Sequence, residues 1–484
     1  MQTRGYDVVE RVAQGIPVHE ALDVTDPDAW LDFDVEVRFR RLNSAESEAG
    51  GNTHHPALAL CHRDGRVREP ALEQAAARPE LLPLIVIRTA DWAAPVRGRA
   101  RALLPGLLAS ARPETLAPLT ALALRLARRE RGAFARDTLA ALLRSAPPAA
   151  FAPLLTAEDR DTRRFAYRAA VERGLLPAAR LARAAATDAD TVVQTLCAEA
   201  ALALDASGDE VIVPLLESRQ PGVRSAGVTA LRRAGRHAEA RPYLTDRSGL
   251  VRACARYVLR QGGLEPLPLY RALCADPSDP GVPAWAPLGL AECGEPRDAA
   301  LLWPLTAHPV PAVRARAIAG LRALDKVDTE RLRPLLDDPA PAVARETVSA
   351  LLPSADRLPE DWLAGRLAAD RPAHTRRAAF RLLRAQGGIA QLRAAVRLLD
   401  DEDPSLRALA GPAIQQWEPP VGGQHDPAEL AALLDRCTHL FSDYVMRRLR
   451  WRSGVPEPEA NSADPPRRSL IRSIIRAWDK RTNA

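Results

Sequence analysis

Apolar and small residues recur along this chain with a period of about thirty residues. In each period, a turn rich in Asp or Pro precedes an anchor residue, usually apolar, and a small residue follows four positions later. The anchors are Val67, Val96, Arg131, Thr162, Val193, Val223, Val251, Val282, Val313, Val343, Thr375 and Leu406. The small residues are Ala71, Ala100, Ala135, Ala166, Cys197, Gly227, Ala255, Ala286, Ala317, Thr347, Ala379 and Ala410. Positions i and i+4 share one face of a helix, so the pattern predicts helices that neighbours approach closely.

A second apolar stretch follows each of these helices, as in residues 329–336 and 389–396. Each period is therefore predicted to be a pair of helices. One pair cannot bury its own apolar face, whereas stacked pairs share a continuous core. The pattern thus predicts an all-α fold, a solenoid of about twelve helix pairs.

Two segments show a resemblance to a known family. Residues 246–252, Asp-Arg-Ser-Gly-Leu-Val-Arg, and residues 308–321, His-Pro-Val-Pro-Ala-Val-Arg-Ala-Arg-Ala-Ile-Ala-Gly-Leu, resemble HEAT repeats of the short phycobilisome-lyase type. The resemblance covers roughly residues 56–420. It implies a right-handed α-solenoid and a scaffold or binding platform. No residue that would carry bilin chemistry is recognisable.

The two ends of the chain depart from the period. Residues 1–55 are predicted to form an N-terminal capping region and a flexible link, and residues 421–454 to form C-terminal capping helices. Residues 455–466 contain four prolines and are predicted to be a linker. Residues 467–484 are predicted to form a basic amphipathic helix. Its apolar face consists of Leu470, Ile471, Ile474, Ile475 and Trp478. Such a helix can bind a partner's groove, lie on an anionic membrane, or fold back onto the solenoid.

Composition narrows the class of protein. Hydrophobic residues make up 47% of the chain but aromatic residues only 4%, and Ala, Leu and Arg dominate. This excess of helix formers disfavours an all-β fold and general disorder. No apolar run is long enough to cross a bilayer. The six cysteines are widely spaced, as expected of reduced thiols, and we therefore expect a cytoplasmic protein.

The net charge of +6 is concentrated near the C-terminus. Residues 441–484 contain ten basic and five acidic residues, a net charge of +5, so the rest of the chain carries +1 (6 − 5). A solenoid that grips a phosphate backbone would show a broader basic excess. We therefore expect any weak, salt-sensitive DNA binding to come mainly from this C-terminal region.

The spacing Asp-x5-Arg recurs at Asp91/Arg97, Asp246/Arg252, Asp370/Arg376 and Asp401/Arg407. One interpretation is a series of arginines that bind phosphate or acidic ligands. The other is structural, with each Asp accepting hydrogen bonds from backbone amides and from an Arg of an adjacent repeat. The resemblance to HEAT repeats favours the structural interpretation.

No catalytic, cofactor-binding or metal-binding motif stands out. His54, His55, Cys61 and His62 cluster, but no second ligand pair with zinc-finger spacing follows, so a loop before the first repeat is the preferred interpretation. Phosphate-binding glycine loops, nucleophile elbows and kinase motifs are not found. The sequence therefore favours a non-catalytic protein without a cofactor.

The candidate ligand-binding residues lie in the second helices, on the predicted concave face. They are Trp303, Arg331, Arg333, Trp362, Arg366, Arg393 and Arg397. The leading hypothesis is a scaffold or adaptor that mediates protein–protein interaction. The alternative is a DNA-acting protein, since HEAT-like alkyl-base DNA glycosylases use Trp and Asp in a basic groove, and Asp361 precedes Trp362 here. The nearly neutral body disfavours that alternative.

Overall fold

The computed structural model describes residues 3–39, 55–419 and 426–455. All regular elements within these residues are helices, which confirms the predicted all-α class. Outside the described residues lie the flexible link, predicted within the first 55 residues at positions 43–52, and His54. Nearly all of the predicted linker at 455–466 and the predicted helix at 467–484 also lie outside them. The chain divides into two compact units, Met1–Glu265 and Pro266–Ala484.

The first unit begins with α1 (Thr3–Ala13), α2 (Val18–Ala21), α3 (Pro27–Phe39) and α4 (Pro56–Cys61). Helix pairs follow: α5 (Gly65–Ala76), α6 (Leu82–Arg88), α7 (Ala94–Ala109), α8 (Pro113–Leu126), α9 (Ala133–Ser145), α10 (Ala152–Leu155), α11 (Arg160–Glu172), α12 (Ala178–Thr187), α13 (Thr191–Leu204), α14 (Asp209–Glu217), α15 (Pro221–Arg233) and α16 (Gly249–Gln261). Short 3₁₀ helices occupy Pro79–Leu81, Pro148–Phe151 and His237–Thr245. Consecutive first helices, from α5 to α16, contact one another.

The second unit contains α17 (Pro266–Leu273), α18 (Ala286–Ala291), α19 (Ala299–Leu305), α20 (Pro311–Ala323), α21 (Thr329–Leu332), α22 (Pro341–Leu351), α23 (Glu360–Gly365), α24 (Ala373–Gln386), α25 (Gly388–Leu398), α26 (Pro404–Gln415), α27 (Pro427–Arg436) and α28 (Asp443–Arg452). Its 3₁₀ helices are Pro296–Asp298, Arg333–Asp337, Leu352–Arg357 and Thr438–Leu440. The first helices α18, α20, α22, α24 and α26 again pack on one another in sequence order.

The predicted small residues lie where helices meet. All twelve, from Ala71 to Ala410, are buried. At Gly227 a Cβ atom would lie 3.0 Å from the Cβ of Leu215 on the preceding helix, so a side chain here would require the two helices to shift. The anchors are buried too, except Val67 and Arg131, which are exposed. In the first period, the residue that follows the anchor, Arg68, is fully buried.

A polar residue five positions before the anchor closes the turn in front of most first helices. Its side chain accepts a hydrogen bond of 2.7–3.2 Å from the backbone amide two residues later. The residues that do so are His62, Asp91, Asp188, Ser218, Asp246, His308, Asp338 and Asp401. These bonds satisfy amides that would otherwise lack a partner at the start of a helix.

An arginine one position after the anchor connects neighbouring turns. Its Nη1 donates to the main-chain carbonyl of its own turn, as in Arg68, Arg97, Arg163, Arg224, Arg252, Arg314 and Arg407. Four of these seven arginines also pair with the aspartate of the next turn at 2.7–3.2 Å, as does Arg376 at the equivalent position. The pairs are Arg68–Asp91, Arg163–Asp188, Arg224–Asp246, Arg314–Asp338 and Arg376–Asp401. We call this set the turn ladder.

The turn ladder confirms the structural interpretation of Asp91, Asp246 and Asp401. The structural interpretation is wrong for Asp370, because this residue is exposed. Arg376, which follows it in the Asp-x5-Arg spacing, pairs with Asp401 of the next turn. Burial raises the pKa of Asp91, but hydrogen bonds from Arg68 and from the Ala93 amide outweigh it, so the pKa is lowered overall. The ladder carboxylate of Asp91 is therefore ionised at neutral pH.

The N-terminal helices are tied to the first ladder pair. Arg88, at the end of α6, is buried and pairs with both Asp34 of α3 and Asp91. Asp34 also accepts hydrogen bonds from Arg38 at 3.2 Å. Removing one member of such a buried group leaves an uncompensated charge, which costs far more than the intact group contributes. The contact therefore fixes α3 against α6.

We expect Ala317→Phe to destabilise the second unit. Ala317 is fully buried on α20, and a phenyl ring there must push neighbouring helices apart at a cost of roughly 1–3 kcal/mol. Thermal unfolding followed by circular dichroism measures the effect. Ala323→Phe, the same change at an exposed position of the same helix, is the control and should melt like the wild type. Equal melting temperatures for both variants would contradict the helix contact at Ala317.

We also expect a pH-dependent effect of Asp190→Asn. Asp190 caps α13 and is bound by Arg164 at 2.7 and 3.0 Å, and the Arg164 hydrogen bond lowers its pKa from 3.8 to about 2. A carboxylate with a lowered folded-state pKa stabilises the protein above about pH 4, and this stabilisation is lost as the pH falls towards 2. The variant should be less stable at pH 7 by about 2 kcal/mol. Urea unfolding measured across this pH range should show the difference shrinking in acid; a constant difference would argue against an ionised Asp190.

Candidate functional site

The predicted ligand-binding residues lie on consecutive second helices of the second unit. We call these elements, α19, α21 with the 3₁₀ helix Arg333–Asp337, α23, α25 and α27, the second-helix row. Apolar side chains such as Leu302, Leu332 and Leu363 are fully buried and anchor the row to the core. The polar residues between them remain half-buried or exposed, so they form its outer surface.

Both candidate tryptophans are covered by arginines from within the row. The guanidinium carbon of Arg331 lies 3.8 Å from the ring centroid of Trp303. Trp362 is contacted by two arginines, Arg366 at 3.8 Å and Arg333 at 4.7 Å. Each cation–π contact of this kind contributes about 0.5–1 kcal/mol at exposed sites. The contacts also hold these long side chains in fixed positions.

Carboxylates offset most of the arginine charge in the row. Arg333 donates to Glu330 at 2.8 Å, and Arg366 donates to Asp337 at 2.6 Å. Arg393 on α25 pairs with Glu360 of α23 and with Glu429 of α27, the latter at 2.7 and 2.9 Å.

The hydrogen bonds between Arg393 and Glu429 shift the pKa values of both groups. They raise the pKa of Arg393 and lower that of Glu429, so both stay charged at neutral pH. The row therefore presents tryptophan surface with mixed charge.

In six of the seven candidate residues, the side chain contacts another side chain of the row. Arg397 differs, since its Nη1 donates only to the main-chain carbonyl of Ala364, at 3.0 Å. Asp361, the acid of the glycosylase alternative, is exposed beside Trp362. The other candidate residues, Leu470, Ile471, Ile474, Ile475 and Trp478, lie outside the described residues.

Sequence reasoning missed the acidic partners in the row. Glu330 could have been found, because it lies three residues before Arg333 on one helical turn. Asp337 and Glu429 are 29 and 36 residues from their arginines, close to the repeat period, so only the repeat itself could have signalled them. A similar stacked pair, Arg316 over Trp285 at 3.8 Å, was missed because it involves a first helix.

The histidine and cysteine cluster has a local structural role. His55 caps α4 by accepting a hydrogen bond from the amide of Ala57 at 3.3 Å, and burial lowers its pKa. His62 accepts from the Asp64 amide at 3.0 Å. Cys61 is fully buried, and burial raises the pKa of its thiol. Among the residues that the structure describes, no group of three His, Cys, Asp or Glu side chains is arranged to hold a metal ion.

Comparison with known proteins gives no family assignment. No protein-family model matches the chain, and no curated protein matches it. Among solved structures, the crystal structure of an engineered protein matches with 18% sequence identity, covering 82% of this chain and 96% of that chain. The TM-score of 0.23 is too low for this likeness to support a conclusion about the fold. In the described part of the chain, no helix combines the length and apolar character needed to cross a membrane.

We expect Arg393→Gln to weaken the second-helix row modestly. The change removes both ion pairs of a partly exposed guanidinium, which together contribute about 1 kcal/mol or less. The melting temperature should fall slightly at low salt, and the difference should shrink at high salt, where exposed charges are screened. Arg397→Gln on the same helix is the control, because it has no carboxylate partner and its change should not depend on salt. A salt-independent loss in Arg393→Gln would rule out the electrostatic explanation.

Proposed function

We propose that this protein is a non-catalytic scaffold or adaptor that binds another protein through the second-helix row. The observation that carries the proposal is the pair of arginine-covered tryptophans, Trp303 and Trp362, on a surface whose charges are mixed. Trp and Arg are enriched among the residues that dominate binding energy at protein interfaces. Pre-positioned side chains also lose less conformational entropy on binding.

The proposed architecture is a right-handed α-solenoid of about twelve HEAT-like helix pairs. Three observations support it: the buried small residues at the thirty-residue period, the sequential packing of first helices in each unit, and the turn ladder. Stacked helix pairs of this type expose an extended surface that suits binding to a macromolecule.

DNA binding or alkyl-base excision is the alternative function. Its support is that Arg331 and Arg397 face solvent, and that Asp361 lies beside Trp362. The carboxylates paired with Arg333, Arg366 and Arg393 argue against it, because they offset the positive charge that phosphate binding requires. The protein-binding function is therefore the one we propose.

The test is affinity capture with mass spectrometry from the native cells. The wild type is compared with Arg331→Glu/Arg397→Glu, which reverses two exposed charges on the second-helix row. The matched control is Arg322→Glu/Arg345→Glu, which reverses two exposed charges on the first helices α20 and α22. We expect the wild type and the control to capture the same partner protein, and the row variant to lose it. The two new glutamates would place negative charge where the partner meets arginines in the wild type.

A DNA assay separates the two functions. We expect the full chain to bind duplex DNA weakly, with the same affinity in the row variant, and to release no base from alkylated duplex. Base release, or a loss of DNA affinity confined to the row variant, would overturn the scaffold proposal and favour the alternative.

A further inference from the structure

The last described helix, α28, exposes aromatic and basic side chains on one face. Tyr444, Arg447, Arg448 and Trp451 are spaced so that they share one side of the helix. As whole residues, Trp451 is 81% exposed and Tyr444 is 68% exposed. Scattered exposed apolar residues are ordinary on protein surfaces, but two large aromatic residues with two arginines between them on one helix face form a patch. We call these four residues the α28 face.

The opposite side of α28 holds the helix in this orientation. Met446 and Leu449 are buried in the core of the second unit. The side chain of Arg450 is also buried, and it pairs with Asp435 of α27. Rotating α28 to hide Trp451 would expose these groups and break the pair. The fold therefore presents the α28 face outwards.

The positive charge of the α28 face is not offset. No carboxylate lies within ion-pair distance of Arg447 or Arg448 among the described residues, and Arg447 contacts only the main-chain oxygen of Asp443. The neighbouring Arg452 is 3.9 Å from Glu418, at the limit of an ion pair. This contrasts with the second-helix row, where most arginines are paired. The α28 face therefore favours an anionic partner.

Charge also disfavours two possible occupants from the protein itself. A second copy of the α28 face would bring its arginines against Arg447 and Arg448. The predicted basic segment at residues 467–481 carries six basic residues and one acidic residue, so it too would be repelled. The occupant is therefore expected to be an anionic partner outside the chain.

We propose that the α28 face docks on the surface of an anionic lipid bilayer. Trp and Tyr rings settle at the level of the lipid headgroups, and each arginine near an anionic surface contributes about 1 kcal/mol. The sequence that follows fits the same partner. Its aliphatic residues, among them Ile471, Ile474 and Ile475, suit insertion between acyl chains and have no counterpart in phosphate-backbone recognition. This membrane contact is independent of the proposed protein-binding function.

The experiment is co-sedimentation of the full chain with vesicles of phosphatidylcholine alone and of phosphatidylcholine mixed with phosphatidylserine. We expect binding to the anionic vesicles only, weakening as salt is raised. Arg447→Gln/Arg448→Gln should lower the affinity about thirtyfold, since it removes two charges near the surface. Arg322→Gln/Arg345→Gln, two exposed arginines of the same unit, is the control and should bind like the wild type. Circular dichroism verifies that each variant is folded.

A second measurement reports on the α28 face directly. Bromine-labelled lipids quench tryptophans that reach the bilayer, so the wild type should be quenched more than Trp451→Phe at equal occupancy. Equal quenching, equal affinity of the Arg447→Gln/Arg448→Gln variant, or no binding by the full chain would each overturn the proposal. The full chain would also fail to bind if its own C-terminal residues covered the α28 face, and that outcome overturns the proposal as well. Tighter binding to duplex or single-stranded DNA than to anionic vesicles would assign the face to nucleic acid instead.

Discussion

The turn ladder is the interaction on which the helix packing in both units depends. Four ladder arginines, among them Arg68, Arg224 and Arg314, bind both the carbonyl of their own turn and the aspartate of the next turn, so the geometry of one turn sets that of its neighbour. Arg68 and Arg252 are almost completely buried. Buried ion pairs add little net stability compared with apolar packing, yet losing one partner is costly. We infer that the ladder mainly fixes the relative position of successive helix pairs.

The small residues make this spacing possible. Ala255 and Ala317 are fully buried, and Gly227 packs against Leu215 of the preceding second helix. We infer that this close packing keeps each arginine within reach of the next turn. A larger side chain at one of these small positions would push the helices apart and, at the same time, lengthen the Arg–Asp distance of the turn ladder. Apolar packing and the polar ladder are therefore two consequences of the same helix spacing, and a change in one should weaken the other.

The structure distinguishes two kinds of arginine-rich surface. In the second-helix row, Arg333, Arg366 and Arg393 are paired with carboxylates, and two of them are stacked on Trp362. On α28, Arg447 and Arg448 have no such partners within the described residues. The same residue type thus builds a rigid, mixed-charge surface in one place and an uncompensated positive one in the other. Arginine content alone would not separate these surfaces, because pairing decides the local field.

The sequence by itself determined the helical class, the positions of the small residues and part of the ladder. These follow from spacings of four to six residues, which helix geometry and turn chemistry translate directly into contacts. Only the tertiary structure showed that Asp188 and Asp338 belong to the ladder, since Gln194 and Ala344 stand where the Asp-x5-Arg pattern requires arginine. It also excluded Asp370 and placed Trp362 between two arginines. Each ladder arginine precedes its aspartate by 22–25 residues, so the pairing depends on how helix pairs pack, which no local pattern records.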